Sequence, residues 1–305
     1  MMKAVIAVWV YACLALFVAE ANAADVAAKP QAISLSGQPL YSPSPSTQVQ
    51  EQLAEAQADY ERDPNDADNI IWYGRRIAYT GDYQRAIEVF GEGIAKHPQD
   101  ARMYRHRGHR YISIRKFDHA IKDFERAVEL IDGQPNEIEP DGMPNAMNMP
   151  ISTLHGNIWY HLGLAYYLQH DWGNALRAYD TAYAVGDNDD NKVSTMHWRY
   201  MILRRMGRDA EAREILAPIT ADMTIIENDS YHQLCLFYKG ELSYTDIMGE
   251  NADTPGGSAV GYGIANWLYY NGETSRAIAM LEQLAANEGW SAFGVIAAEA
   301  DLAAL

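Results

Sequence analysis

Residues 74–90 read GRRIAYTGDYQRAIEVF, and residues 108–124 read GHRYISIRKFDHAIKDF. Gly74 returns 34 positions later as Gly108, Tyr83 as Phe117, Ala86 as Ala120 and Phe90 as Phe124, and Pro64 and Pro98 keep the same interval. A period of roughly 20 to 50 residues marks stacked supersecondary units that share one continuous core. The chemistry of such a chain is expected on a surface rather than in an enclosed pocket.

Each unit reads as two helices. In the first, about 67–100, Ile70, Tyr73, Gly74 and Ile77 share one helical face, Ala86, Phe90 and Gly93 share another, and Thr80-Gly81-Asp82 makes the turn between them. The second, 101–132, places Tyr104, Gly108, Tyr111, Phe117, Ala120, Phe124 and Ala127 at matching positions, and the third, 156–187, places Trp159, Leu162, Gly163, Tyr166, Trp172, Ala175, Tyr179 and Ala182. Gly163 follows Gly108 by 55 positions, 21 more than the period, so residues 133–155, with Pro135, Pro140, Pro144 and Pro150, are an insertion. From 193 to 290 the pattern persists in degenerate form, through Trp198, Leu203, Gly207, Ala212 and Leu216, then weakly around Tyr231 to Met248, then through Leu268, Gly272, Ala277, Leu281 and Leu284. Residues 291–305 read as a closing helix over the last exposed core.

The order aromatic, Leu-Gly, Tyr, Gly-x-Tyr, Ala, Phe, Ala, Pro resembles the tetratricopeptide repeat (TPR) family. The resemblance implies an all-α fold, a right-handed superhelical solenoid of antiparallel helix pairs over residues 48–305. It also implies adaptor work, in which the first helix of each pair lines a concave groove that holds a protein or peptide. The family's ligand-facing positions fall here on Arg75 and Tyr79, on Arg102, Arg105 and His109, on Tyr160 and Tyr167, and on His197, Met201 and Arg204. This groove is basic and aromatic, which suits an acidic or carboxylate-bearing partner, since Arg grips carboxylates bidentately and Tyr offers stiff contact area. The family's carboxylate-clamp subgroup has Lys and Asn where Ile71 and Arg75 stand, so the chaperone tails it binds are not implied.

The groove's sign is opposite to that of the whole chain. A net charge of −17 over 305 residues argues against nucleic-acid or anionic-membrane binding, both of which need a basic footprint. At the N-terminus, Lys3, the apolar run Ala4–Ala19 and Ala21-Asn22-Ala23 form the pattern of a secretory signal peptide over residues 1–23. Export, to the periplasm first of all, with no membrane insertion after cleavage, is the expectation; secretion and a retained N-terminal anchor are the alternatives. Removal of that segment takes Cys13 and leaves Cys235 alone in an apolar run, so no intramolecular disulfide is expected. Residues 24–47, with prolines at 30, 39, 43 and 45 among serines, read as a disordered tether.

Three further patterns invite chemistry. Met143, Met147 and Met149 in the insertion, with His155 behind them, are a candidate Cu(I) set, although the same insertion reads first as a flap over the groove or as a plain mobile loop. His106 and His109 share a helix face without the further ligands a zinc site needs. The run Asp187-Asn188-Asp189-Asp190-Asn191 begins like a calcium loop, but Lys192 and Trp198 occupy its Gly and Glu positions. No nucleophile or acid–base pair stands in a recognisable context. The sequence therefore supports a non-catalytic scaffold without cofactor, with a binding protein or enzyme for a small anionic or glycan ligand under the 133–155 flap as the rival.

Overall fold

The computed structural model describes residues 29–251 and 257–305; the expected signal peptide lies outside them. A two-stranded antiparallel hairpin, β1 (Ala32–Ile33) and β2 (Pro39–Leu40), leads into α1 (Thr47–Arg62). Helix pairs follow: α2 (Ala67–Tyr79) with α3 (Tyr83–Lys96), α4 (Ala101–Ser113) with α5 (Phe117–Ile131), and α6 (Leu154–Leu168) with α7 (Trp172–Val185). Beyond them come α8 (Asp189–Arg205), α9 (Asp209–Ile215), α10 (Asp229–Lys239), α11 (Tyr244–Asn251), α12 (Gly257–Tyr270), α13 (Thr274–Ala285) and α14 (Phe293–Ala303). The fold is all-α and TPR-like, the helices packing on their sequence neighbours except at α9 and α10, where α10 packs back on α8.

The period has a mechanical cause. A Cβ built on Gly74 would lie 2.5 Å from the Phe90 ring, one on Gly108 2.9 Å from Phe124, and one on Gly163 2.8 Å from Tyr179. Each pair thus closes by seating a buried ring of the second helix on a bare backbone of the first. Acidic and hydroxyl caps set the starts: Asp66, Asp82 and Asp171 accept from the backbone N–H of Asn69, Arg85 and Asn174, and Thr153 from that of Gly156.

The turn inside a pair needs a left-handed residue. Gly81 supplies it in the first unit, while Arg115 (φ 62°) and His170 (φ 58°) stand at the corresponding turns of the second and third. A bulky residue in that region is held at a cost of order 1 kcal/mol or more, so its side chain is expected to be needed where it points. Both point at the C-terminal helix. Arg115 Nε donates to Glu299 (3.1 Å) and its Nη2 to the Trp290 carbonyl (2.7 Å), and His170 Nε2 lies 3.0 Å from Asp301 Oδ1. Arg205 and the Tyr262 hydroxyl also donate to Asp301.

Helix α14 therefore does more than cover the last pair. It packs on α12 and α13 and also reaches back to α6, with Phe293 5.4 Å from the His109 ring and 5.7 Å from that of His161. Its crossing with α12 leaves no room for a side chain, since a Cβ on Gly294 would sit 2.2 Å from the Ser258 carbonyl oxygen. Gly294→Ala must move backbone rather than a rotamer. A loss of about 1–3 kcal/mol or more in urea denaturation is expected, despite alanine's better helix propensity.

Residues 29–46, expected as disordered tether, are an ordered strap. Leu35 N–H donates to Glu299, Trp290 Nε1 to the Tyr41 carbonyl, Ser42 Oγ to the Gly81 carbonyl, and the Gln84 side chain to the carbonyls of Pro30 and Gln31. These bonds use mostly backbone groups, which every residue type carries, so composition could not reveal them. The strap joins the first repeat to the C-terminal helix.

Candidate functional site

The expected groove divides in two. Its C-terminal half is core: Tyr167 and His197 are buried, as is Met201. The Tyr167 hydroxyl accepts from Asn266 Nδ2 (2.6 Å) and shares a hydrogen with the Tyr262 hydroxyl, while the Tyr238 hydroxyl lies 3.2 Å from His197 Nδ1. Tyr160 accepts from Trp198 Nε1 and donates to Tyr231. Arg204 pairs with Asp209 (2.9 Å) and lies over the Tyr270 ring. Tyr167 and His197 cannot be partner-facing, because α10, α12 and α14 have filled the space that repeats of a simple solenoid leave open. Arg102 is spent locally too, on Asp100 and Asp68 at 2.6 Å each.

Arg75, Tyr79, Arg105 and His109 do come together. With Arg110 and His106 they line one cavity of about 190 Å³ between α2, α4 and the insertion. Arg75 and Arg105 are buried, and Arg110 is half-buried. Arg105 Nε lies 3.0 Å from Glu139 Oε2 of the insertion, which also accepts from Asn157 Nδ2 (3.2 Å), and His106 Nε2 is 3.9 Å from Glu139 Oε1. Arg75 reaches only the Tyr79 hydroxyl (3.4 Å) and the Trp72 face, and Arg110 lies 5.4 Å from the Tyr83 ring centroid. Among the described residues neither guanidinium has a carboxylate partner. Asp141 and Glu227 line the same cavity, accepting from Met143 N–H and Asn145 Nδ2.

The three guanidiniums act on the histidines beside them. Burial and then the neighbouring arginines hold His106 far below the ordinary histidine range, and burial with Arg110 beside it does the same to His109. Burial lowers Arg110 to about 10, so it stays charged at neutral pH. The insertion roofs this wall. Glu139 N–H donates to the Ser152 carbonyl and Leu154 N–H to that of Glu137, Arg76 Nη1 donates to the Gly142 carbonyl (2.9 Å), and Asn188 Nδ2 to that of Ile151. Beyond the shared residues Ala78, Tyr79 and Arg110 opens a second cavity of about 410 Å³, lined by Val49, Tyr83, Met143 and Pro144 among others.

The methionines of the insertion face solvent. Met143, Met147 and Met149 are 70%, 61% and 49% exposed, so they do not fill gaps beneath the flap. The acidic run at 187–191 is used up internally: Asn188 caps α8, Asp189 accepts from Lys192 and Thr224 N–H, and buried Asp190 accepts from the N–H groups of Ile226, Glu227 and Asn228. Cys235 is buried, and burial pushes its thiol pKa up, which removes thiolate reactivity at neutral pH. Sequence reasoning missed Arg110, Glu139, Glu299 and Asp301. The last two are the sole charges in residues 291–305, a signal that was available.

No family model matches the chain, and no curated protein does. Among solved structures it is similar to YrrB, described as a TPR protein with an unusual peptide-binding site, at 17% identity and a TM-score of 0.42, covering 75% of this chain and 89% of that one. It is also similar to Naa15/Naa10 bound to HypK-THB (17% identity, TM-score 0.37, 82% of this chain and 36% of that one). The P58(IPK) TPR domain aligns at 16% identity and a TM-score of 0.30, over 83% and 72%.

Proposed function

We propose that the chain is a non-catalytic, exported TPR-like scaffold that holds a partner protein or acidic peptide at the N-terminal half of its inner face. The observation that carries this reading is the convergence of Arg75, Arg105 and Arg110 on one wall, two of them without a carboxylate partner among the described residues. In a chain of net charge −17, such a wall is a local inversion that favours acidic groups over the rest of the surface. The peptide-binding site named for YrrB is in keeping with this assignment. Export is read from the pattern of residues 1–23, with the periplasm as the proposed destination of the mature protein.

The test is binding of a set of acidic and charge-neutral peptides, read by isothermal titration at two salt concentrations. Acidic peptides are expected to bind at least tenfold more tightly, with affinity falling as salt rises and falling again in Arg110→Gln. Equal affinity for neutral peptides, or indifference to Arg110→Gln, overturns the acidic-partner reading. N-terminal sequencing of the mature protein should begin at Ala24; a chain that retains Met1 overturns cleavage.

A further inference from the structure

We propose that the two adjoining cavities form one site for a small amphiphilic anion, a molecule with a compact oxyanion head and an apolar body. The proposal goes beyond the partner-binding reading, concerns the same arginine wall and gives it a different occupant, and the closing experiment separates the two. The head belongs in the first cavity, where Arg75 and Arg110 present guanidiniums without carboxylate partners among the described residues, while Arg105 is matched by Glu139 and the lining carboxylates Asp141 and Glu227 accept from Met143 N–H and Asn145 Nδ2. The body belongs in the larger cavity across the Ala78, Tyr79 and Arg110 wall, against Val49, Tyr83, Met143 and Pro144. Arg110 lines both cavities, which places charge at the junction where head meets body.

Three observations favour a small molecule over an extended chain. Helix α14 and the aromatic residues of α10 and α12 fill the inner face beyond His161, so no continuous channel of groove residues leads onward. The insertion is pinned across the opening at Gly142 and Ile151 by Arg76 and Asn188. The two cavities together are of the size of ordinary small-molecule sites, about 300–1,000 Å³, the first lined mainly by charged and polar side chains and the second mainly by apolar and aromatic ones. Glu139 is the internal competitor, a carboxylate of the flap already seated on this wall, and its presence shows that the wall accepts that group.

The probes are 3-phenylpropionate, which has both parts, propionate, which has only the head, and 3-phenylpropanol, which has only the body. With the full-length protein, 3-phenylpropionate is expected to bind at least tenfold more tightly than either of the others and to raise Tm saturably. Arg75→Gln and Arg110→Gln should each weaken it about tenfold, and Met143→Gln severalfold. Glu139→Gln should enlarge the ligand-induced rise in Tm, because the bound head then takes over the charge of Arg105. Binding of the alcohol as tight as that of the acid abolishes the head site, and propionate as tight as phenylpropionate abolishes the apolar compartment. The probe comparison uses the unaltered protein, so a variant that misfolds leaves it intact. If phenylpropionate binds as described and acidic peptides do not, the small-molecule site stands and the partner reading falls. If peptides bind and phenylpropionate does not, the reverse holds.

Discussion

Glu299→Ala is expected to lower the free energy of unfolding by about 3–5 kcal/mol, the usual cost of stranding one member of a buried ion pair. Arg115 and Glu299 are 2% and 4% exposed in their side chains, so neither can be rescued by solvent. Loss of the carboxylate also frees Leu35 N–H of the strap and leaves the Arg115 guanidinium with two carbonyls, those of Ser113 and Trp290, as its remaining acceptors. The double variant Arg115→Met, Glu299→Leu removes both charges at similar volume and is expected to recover most of the loss. Urea denaturation checks the magnitudes, and hydrogen exchange checks the location, since protection should fall first in residues 293–303 and 32–40. A cost below about 1 kcal/mol would mean that packing of α14 on α12 and α13, rather than the pair, carries the closure.

The contrast between what was legible and what was not follows from distance along the chain. The pairing of Gly74 with Phe90, Gly108 with Phe124 and Gly163 with Tyr179 joins positions 16 apart, so the packing rule is written locally and repeats visibly. The bonds that place α14 join residues 184, 131 and 96 positions apart, and no period carries them. Their trace is indirect: Arg115 and His170 stand where the turn of the first repeat has Gly81, a local violation that makes sense only once α14 is in place. The same closure explains the uneven fate of the groove residues. Arg75, Tyr79 and Arg105 lie ahead of α14 and keep a cavity before them, His109 both lines that cavity and meets Phe293 of α14, and Tyr167 and His197 lie beneath the elements it recruits and became core. The family resemblance named which residues would face a groove, but it could not say how much of that face the chain covers with itself.

Closure also makes the protein acid-sensitive. Stability is expected to fall steadily as pH drops from about 6.5 to 4.5, because histidines on the covered face are held neutral. Burial takes His161 to about 3, with Arg105 adding to the shift, and burial alone takes His197 to about 3. His106 and His109 are lowered well below the ordinary value by burial and then by the arginines around them. Above about pH 6.5 these groups are neutral in both states and cost nothing. Below it the unfolded chain takes up protons that the folded chain refuses, so each such histidine removes about 1.4 kcal/mol per pH unit until its folded value is reached. Two of them, His161 and His197, account for about 4 kcal/mol by pH 5. Relief of self-repulsion in a chain of net charge −17 acts in the opposite direction, but over solvent-screened distances. The urea midpoint measured across this window is the check, with His197→Phe as the control: Phe suits the ring contacts with Tyr231 and Tyr238 and should flatten the slope by about 1.4 kcal/mol per unit. An unchanged slope in that variant would show that His197 titrates in the folded protein much as it does in the unfolded chain.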